Sequence, residues 1–231
     1  MHTQAQNKAP QSSSTNTDEL TVPATNSLIY EAVDLTCIRD DRCLFSELNF
    51  SLSPGQMVQI EGSNGSGKTS LLRLACGLSL PESGSIRWNG EDIQDNRPQF
   101  LANIAYIGHV HGVKSELTAL ENLRMDWALM HKPMQNTPMH ALARVGLTGF
   151  EDIPCRMLSA GQRRRVGLAR LLISTATFWI LDEPLTSIDQ SGHLEIESLL
   201  IEHLSRGGMV LLTSHQKIEV PDQHSTSIQL G

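Results

Sequence analysis

Eight consecutive residues in the first third of the chain have the types and spacing of a phosphate-binding loop. They are Gly62, Ser63, Asn64, Gly65, Ser66, Gly67, Lys68 and Thr69. Glycine adopts backbone conformations that are closed to other residues, so consecutive N–H groups can turn toward one anion. Lys68 would bring a positive charge to the β- and γ-phosphates of a nucleotide, and the Thr69 hydroxyl is a suitable ligand for Mg²⁺. The segment therefore predicts a site for a nucleoside triphosphate and its metal.

The flanks of this loop have the structure that the motif requires. An apolar-alternating run at 57–60 predicts a strand before the loop, and apolar positions from Leu71 to Leu78 predict a helix after it. The helix would begin near Gly67 and direct its partial positive charge at the phosphate, with Ser70 in its first turn. A glycine-rich turn that only links a strand to a helix is the alternative, and the Lys-Thr pair at the helix start disfavours it.

Two carboxylates follow a second apolar run. Residues 178–181 are all apolar, and Asp182 and Glu183 come directly after them. Because parallel strands present their carboxyl ends at one edge of a sheet, this pair would lie beside the phosphate loop. We predict that Asp182 holds Mg²⁺ through its water shell and that Glu183 polarises a water molecule for in-line attack. Two surface acids at a strand end are the alternative for an isolated pair.

Two further segments could complete such a site. Ser159 is a good N-cap for the helix that follows it, so Ser159, Gly161 and Gln162 would form a second anion-binding helix start. One phosphate loop with two anion cradles indicates that the second cradle serves a nucleotide held by another subunit. His215 follows the last long apolar strand and could contact the γ-phosphate and sense its loss. Taken alone, the first segment would be an ordinary helix cap and His215 a structural residue.

The pattern around these segments indicates an α/β fold. Residues 1–26 have almost no apolar content and are expected to form a disordered tail. Apolar periodicity predicts strands at 28–37, 44–52, 57–60, 85–88, 104–107, 177–181, 209–213 and 226–230. The first two would form a small antiparallel sheet, joined by a polar turn. A mostly helical region is predicted at about 110–165 and a further helix at 191–204. Apolar strands separated by helices are typical of a parallel sheet covered on both faces.

Composition limits the classes of function. The net charge of −7 and the pI near 5.7 argue against a nucleic-acid-binding protein. The Arg163-Arg164-Arg165 cluster is therefore a local concentration of positive charge, and is either a solvated face or a contact near phosphate. The four cysteines are scattered, as expected of reduced thiols. Among nine histidines only His109 and His111 are close, and no cysteine or carboxylate cluster joins them. No apolar run reaches the ~20 residues that span a bilayer.

Five motifs occur in the order and approximate spacing of the ABC-type ATPases, which the sequence resembles over about residues 28–231. They are the phosphate loop, the signature Leu158-Ser159-Ala160-Gly161-Gln162, the acid pair Asp182-Glu183, the D-loop Ser187-Ile188-Asp189 and the switch histidine His215. The resemblance implies an ATPase domain at 27–231 with the P-loop NTPase fold: a RecA-like, mostly parallel sheet, an antiparallel β subdomain and an inserted α-helical subdomain.

The same resemblance implies a head-to-tail homodimer of ATPase subunits. Two ATP molecules would be sandwiched, each between the phosphate loop of one subunit and Ser159, Gly161 and Gln162 of the other, with Asp189 also among the nucleotide-binding residues.

A finer resemblance is to the haem-exporter ATPases of bacterial cytochrome c maturation. It is carried by Tyr106-Ile107-Gly108-His109, by residues 117–123, by the three arginines after the signature, and by the segment from Trp179 to Pro184. It implies a peripheral subunit on the cytoplasmic face of the inner membrane. That subunit would drive the integral-membrane subunits of a cytochrome c maturation complex without binding haem itself. An ATPase of another small exporter, a soluble non-transport ABC ATPase, and a nucleotide-binding scaffold without turnover are the alternatives.

The sequence departs from the general ABC pattern at three positions. His109 stands where a glutamine usually joins the metal site to the membrane partner. Arg39 stands near the position of an aromatic residue that stacks on adenine, and its guanidinium plane would order a base less effectively. Ala160 replaces the glycine that is commonest at the second position of the signature core and adds one methyl group beside the phosphate.

Overall fold

The computed structural model describes residues 29–110, 112–130 and 135–231. The predicted tail at 1–26, the first residue of the strand predicted at 28–37, and His111 lie outside these ranges. The strands are β1 Tyr30–Arg39, β2 Arg42–Leu52, β3 Met57–Gly62, β4 Ser83–Trp88, β5 Glu91–Asp92, β6 Ile104–Ile107, β7 Phe178–Asp182, β8 Met209–Thr213 and β9 Ser225–Leu230. The α-helices are α1 Lys68–Ala75, α2 Arg97–Asn103, α3 Ala119–Met130, α4 Pro138–Arg144, α5 Ala160–Ile173 and α6 Gln190–Ser205.

Four strands form an antiparallel sheet in the order β2-β1-β4-β5. The polar turn predicted after the first strand joins β1 to β2, and its residues Asp40 and Asp41 have φ of 48° and 60°. Two consecutive residues with positive φ match the right-handed twist of a hairpin, and aspartate tolerates this conformation better than most residues. The predicted antiparallel sheet is therefore confirmed, with β4 and β5 added to it.

The other five strands form a parallel sheet in the order β6-β7-β8-β3-β9. The strand before the phosphate loop, β3, lies between β8 and β9, and β8 also pairs with β7. Thr213 at the end of β8 is opposite both Asp182 of β7 and Ile60 of β3. The loops that follow these three strands therefore leave the sheet at the same edge.

Apolar side chains cover both faces of the parallel sheet, as the continuous apolar runs predicted. Phe178 and Ile180 of β7 pack in a core with residues of α1 and the antiparallel sheet, whereas Trp179 and Leu181 pack in a second core with α3 to α6. Successive side chains of a strand point to opposite faces, so β7 is buried along its whole length. The strand that carries the acid pair is thus fixed from both sides.

Helices α3 and α4 lie within the region of about 110–165 where mostly helical structure was predicted, and α5 begins in it and ends at Ile173. They pack against one another through buried residues that include Leu123, Leu142 and Leu168. The limits of the ATPase domain at 27–231 and of a helical subdomain at about 110–165 remain predictions. Within the ranges that the structure describes, no helix has both the length and the apolar character needed to cross a membrane.

Candidate active site

The loop after β3 has the backbone that its glycines predicted. Gly62, Gly65 and Gly67 have φ of 148°, 81° and 102°, all in the region that favours glycine. A Cβ atom on Gly62 would lie 2.5 Å from the carbonyl oxygen of Leu230 in β9, so a larger residue would push the loop away from the sheet. A Cβ atom on Gly65 would meet no other atom within 4 Å, which means that this part of the loop faces open space.

Helix α1 begins directly after the loop and brings its first two side chains into the site. Gly67 is the N-cap residue, and Lys68 and Thr69 form the start of the first turn. The Lys68 ammonium group donates to the carbonyl oxygens of Gly62 at 2.7 Å and Ser63 at 3.2 Å. The lysine charge is therefore held inside the loop, next to the backbone that would surround a phosphate.

Asp182 joins the ends of three elements through its two carboxylate oxygens. Its Oδ2 accepts a hydrogen bond from Thr69 Oγ1 at 3.0 Å, and its Oδ1 accepts one from Thr213 Oγ1 at 2.8 Å. The side chain is buried at the end of β7. A carboxylate oxygen and a hydroxyl oxygen consequently lie side by side at the start of α1.

Glu183 has a backbone that the sequence did not predict. Its φ is 54°, in the left-handed region, and its N–H donates to Thr213, with Oγ1 at 2.9 Å and the carbonyl oxygen at 3.2 Å. The side chain is 13% exposed, and its Oε1 lies 3.4 Å from Nε2 of His215. Thr186 Oγ1 donates to Oε2 at 3.4 Å. The sharp turn after β7 thus brings this carboxylate beside His215.

These groups face one cleft of about 320 Å³. Its lining consists of Leu44, Ser63, Asn64, Gly65, Gly67, Lys68, Thr69, Ser70, His109, Asp182, Glu183 and His215. The structure therefore brings together most of the phosphate-loop residues, both acids and the switch histidine. His109 is exposed at this cleft, where its ring could reach water or a ligand. The roles that the sequence assigned to these residues remain predictions.

Two differences concern the part of the cleft near the antiparallel sheet. Leu44 of β2 lines the cleft and was not anticipated, because its apolar alternation in a strand gives no sign of a ligand contact. A Cβ atom on Gly67 would lie 3.1 Å from Leu44 Cβ, so this leucine packs against the loop. Arg39, which the sequence placed near the position that stacks on adenine, does not line the cleft. It lines a neighbouring depression, which shares Ser70 with the cleft.

The signature residues are arranged as a helix start, but none of them lines the cleft of their own chain. The Ser159 hydroxyl accepts from the N–H of Gln162 at 3.1 Å, and the Gln162 side chain accepts from the N–H of Ser159 at 2.9 Å. This is the reciprocal capping pattern of a stable helix N-terminus. A Cβ atom on Gly161 would lie 2.3 Å from the carbonyl oxygen of Ser187, so the signature packs closely on the D-loop.

Asp189 in turn caps α6. Its side chain accepts from the N–H of Gly192 at 3.2 Å, and this bond lowers the pKa of the carboxyl group. Among the residues that line the cleft, Asp189 does not occur either. The signature and the D-loop of one chain therefore lie outside the cleft that contains its phosphate loop.

Arg164 links the cleft to the segment around His109, and sequence reasoning did not assign it this position. The guanidinium group is 1% exposed and donates to the carbonyl oxygens of Asp182 and Glu183 and, at 3.0 Å, to that of Gly108. Burial lowers the pKa of this side chain, and the charges of the two carboxylates oppose that effect. The sequence left open whether the arginine cluster is a solvated face or a contact near phosphate. For Arg164 the solvated face is wrong, because the side chain is buried.

The donor groups fit a nucleotide and a hard cation. Ser66 Oγ is buried without a hydrogen-bond partner in the described structure, beside a loop whose Gly65 backbone is open. Mg²⁺ keeps several of its waters and needs only one or two protein oxygens, which Thr69 and Asp182 offer. No group of three or more His, Cys, Asp and Glu side chains that could hold a metal by themselves occurs in the described part of the chain.

Comparison with known proteins gives the class of this protein. The family described as ABC transporter matches residues 45–186. The CcmA protein of Methylococcus capsulatus, a cytochrome c biogenesis ATP-binding export protein, is 52% identical over 190 residues, which are 82% of this chain and 92% of that protein. The protein of the same name from Vibrio vulnificus is 49% identical over 202 residues, 87% of this chain and 98% of that protein. The chain therefore belongs to the ATP-hydrolysing subunits of the ABC transporter family. Within it, the chain is a member of the CcmA group.

Solved structures support the fold. A putative ABC transporter ATP-binding protein from Pyrococcus furiosus superposes with a TM-score of 0.75 at 24% identity, over 87% of this chain and 97% of that one. A dimeric ATP-binding cassette in a post-hydrolysis state, bound to ADP and phosphate, gives a TM-score of 0.70 at 21% identity, over 81% of this chain and 88% of that one. The predicted fold class is confirmed.

Proposed function

We propose that this protein hydrolyses MgATP as a homodimer, on the cytoplasmic face of a bacterial inner membrane, and thereby energises haem export for the biogenesis of c-type cytochromes. The observation that carries the proposal is the single cleft that joins Lys68, Asp182, Glu183 and His215. Membership of the CcmA group supports the role in cytochrome c biogenesis, because curated members of that group are named as cytochrome c biogenesis export proteins.

The residues of the cleft divide the chemistry among them. Lys68 and the loop backbone would neutralise the phosphates, while Thr69 and Asp182 would supply oxygen ligands for Mg²⁺, which offsets charge on the phosphates when bound. Glu183 is oriented by its unusual backbone and by His215, so it can hold a water molecule for in-line attack and accept its proton. His215 lies within reach of the same position and would respond to the terminal phosphate.

Pairing of two copies would complete the site. The signature helix start does not line the cleft of its own chain, and Ser159 is exposed there. A helix N-terminus attracts anions, so this surface is suited to the phosphates held by a second copy. The close contact of Gly161 with Ser187 would make the signature and the D-loop move as one unit when the copies close.

A separate groove is suited to a membrane subunit. It has a volume of about 390 Å³ and lies along the edge strand β6, with a lining of Leu101, Ala102, Ile104, Ala105, Tyr106, Ile107, Arg170, Leu171 and Ser174. Most of these side chains are apolar, as expected where a protein partner is to be bound. The chain runs from the end of β6 at Ile107 through Gly108 to His109, which lines the cleft, so displacement of a bound segment would reach the site of hydrolysis.

The exchange Glu183→Gln tests the catalytic assignment. It keeps the size of the side chain but removes the base, so ATP hydrolysis should fall by about 100-fold or more. MgATP should still bind, and a stable ATP-bound dimer should accumulate, which light scattering after gel filtration would detect. Glu91→Gln, on the exposed strand β5, is the matched control and should keep wild-type turnover. Wild-type turnover in Glu183→Gln would exclude Glu183 as the base.

The cellular role needs a separate experiment. Deletion of the gene should abolish haem staining of periplasmic c-type cytochromes, and wild-type protein should restore it, whereas Glu183→Gln should not. Co-purification should recover integral-membrane subunits of a cytochrome c maturation complex. Normal haem staining after deletion would contradict the haem assignment and leave the ATPase assignment intact, and recovery of a different permease would indicate another exporter.

A further inference from the structure

Gln59 is a polar residue in the middle of a buried parallel strand. Its neighbours in β3, Met57, Val58 and Ile60, belong to the apolar cores, yet the Gln59 side chain is only 4% exposed. Burial of a primary amide is unfavourable unless its N–H and C=O groups find partners. A leucine or valine would be the ordinary choice at such a position, so the amide needs an explanation.

The partners of Gln59 lie far away in sequence. Its Nε2 donates to the carbonyl oxygen of Gln216 at 3.1 Å, and its Oε1 accepts from the N–H of Ile218 at 3.4 Å. A weaker contact of 3.4 Å joins Nε2 to Oε1 of Glu61 in the same strand. One side chain therefore uses both its donor and its acceptor on the main chain of residues 216–218, which no apolar residue could do.

The switch histidine, His215, directly precedes this segment. Pairing between β3 and β8 ends at Ile60 and Thr213, so the residues that follow are no longer held by strand hydrogen bonds. The His215 ring itself is 55% exposed and lies 3.4 Å from the Glu183 carboxylate. The position of His215 at the cleft therefore depends on its backbone, and Gln59 binds that backbone on the C-terminal side of His215.

We infer that Gln59 is a positioning residue for His215. Its amide ties the residues that follow His215 to β3, the strand that ends in the phosphate loop, and so links the loop to the histidine. The inference rests on the proposed function, because it requires that His215 takes part in hydrolysis. Gln59 itself does not line the cleft, and its hydrogen bonds go to Glu61, Gln216 and Ile218, none of which belongs to the phosphate loop.

The exchange Gln59→Leu tests this inference. Loss of both main-chain bonds would loosen His215 without altering the phosphate loop, so kcat should fall by between about threefold and tenfold. The KM for ATP should change by less than about twofold, since nucleotide contacts are kept. The measurement uses the full chain assembled with its membrane subunits. Gln229→Leu is the matched control. Gln229 and Gln59 line one depression beside β3, but Gln229 is exposed on β9, so the kcat of this variant should stay at the wild-type value.

A double-mutant cycle separates positioning from a merely structural effect. If Gln59 acts through His215, then Gln59→Leu should cause no further loss of kcat in a His215→Ala protein. An equal loss in both backgrounds, or wild-type kcat in Gln59→Leu, would overturn the inference. Should His215→Ala itself retain wild-type turnover, the role of His215 in the proposed function fails and the inference falls with it.

A second variant covers the case in which Gln59→Leu does not fold. Gln59→Glu keeps an acceptor for the Ile218 N–H but loses the donor to the Gln216 carbonyl and adds a charge near Glu61. Its kcat should be reduced, and this reduction too should vanish in the His215→Ala background. A reduction that persists there would count against positioning.

Discussion

One buried histidine should make the folded state sensitive to acid. The His203 ring of α6 stacks on Trp179, with centroids 3.7 Å apart and 10° between the planes, and its Nε2 lies 3.2 Å from the Thr177 carbonyl oxygen. Burial, aided by the nearby Arg206 charge, lowers the pKa of His203 to about 4. In the unfolded chain a histidine titrates near ~6.5. Between these two values the unfolded state binds more protons, so stability falls as the pH falls.

The size of this effect follows from the two pKa values. One pKa unit corresponds to about 1.4 kcal/mol. The free energy of unfolding should therefore drop by about 2 kcal/mol between pH 7.5 and pH 5 through His203 alone, and by about 3 kcal/mol once the pH is below 4. Above pH 7 the contribution should be constant, because the ring is neutral in both states.

The variant His203→Phe isolates this contribution. Phenylalanine keeps an aromatic ring on Trp179 but cannot take up a proton. Urea unfolding at pH 7.5 and pH 5 should show a decrease in wild-type protein that exceeds the decrease in the variant by about 2 kcal/mol. All other titrating groups are common to both proteins and cancel in this difference. Equal pH dependence in the two proteins would refute the reasoning.

Two exchanges test other contacts. Gly161→Ala would place a methyl group against the Ser187 carbonyl oxygen, so the free energy of unfolding should fall by about 1–3 kcal/mol and ATPase activity should drop. The control Ala160→Gly should lower the free energy of unfolding by no more than ~1 kcal/mol. Equal losses of stability in the two variants would argue against the close contact. In Arg164→Lys the lysine cannot replace the forked hydrogen bonds of the guanidinium group, so we expect about 2–4 kcal/mol of destabilisation in urea unfolding. The control Arg87→Lys, on the exposed face of β4, should have little effect. An unchanged urea midpoint in Arg164→Lys would contradict a stabilising role for these buried hydrogen bonds.

Local patterns were sufficient for much of the fold. The glycines at 62, 65 and 67 predicted a left-handed backbone, and the structure has it at all three positions. The apolar run at 178–181 predicted a strand buried on both faces, which β7 confirms. These features depend on residue types within a few positions of one another, since backbone sterics and the period of a strand act over that range.

Other features needed contacts between distant residues. The strand order places β8 between β3 and β7, and only this order brings Thr213 to Asp182. Glu183 has positive φ although glutamate gives no sign of it, because the turn after β7 is held by the bond of its N–H to Thr213. In the sequence Gln59 is one polar position in an apolar-alternating run, which gives no sign of a special role. Its main-chain partners, Gln216 and Ile218, lie more than 150 residues away.

The sequence by itself determined which groups are predicted to bind phosphate and to carry out hydrolysis, because a phosphate loop and an acid pair are encoded by short, contiguous spacing. The tertiary structure alone decided how those groups face one another. It buried Arg164 against the carbonyl oxygens of Asp182 and Glu183, kept the signature outside the cleft of its own chain, and anchored the His215 segment on Gln59. The reason is physical: burial and long-range hydrogen bonding depend on which elements pack together, and no local pattern specifies that.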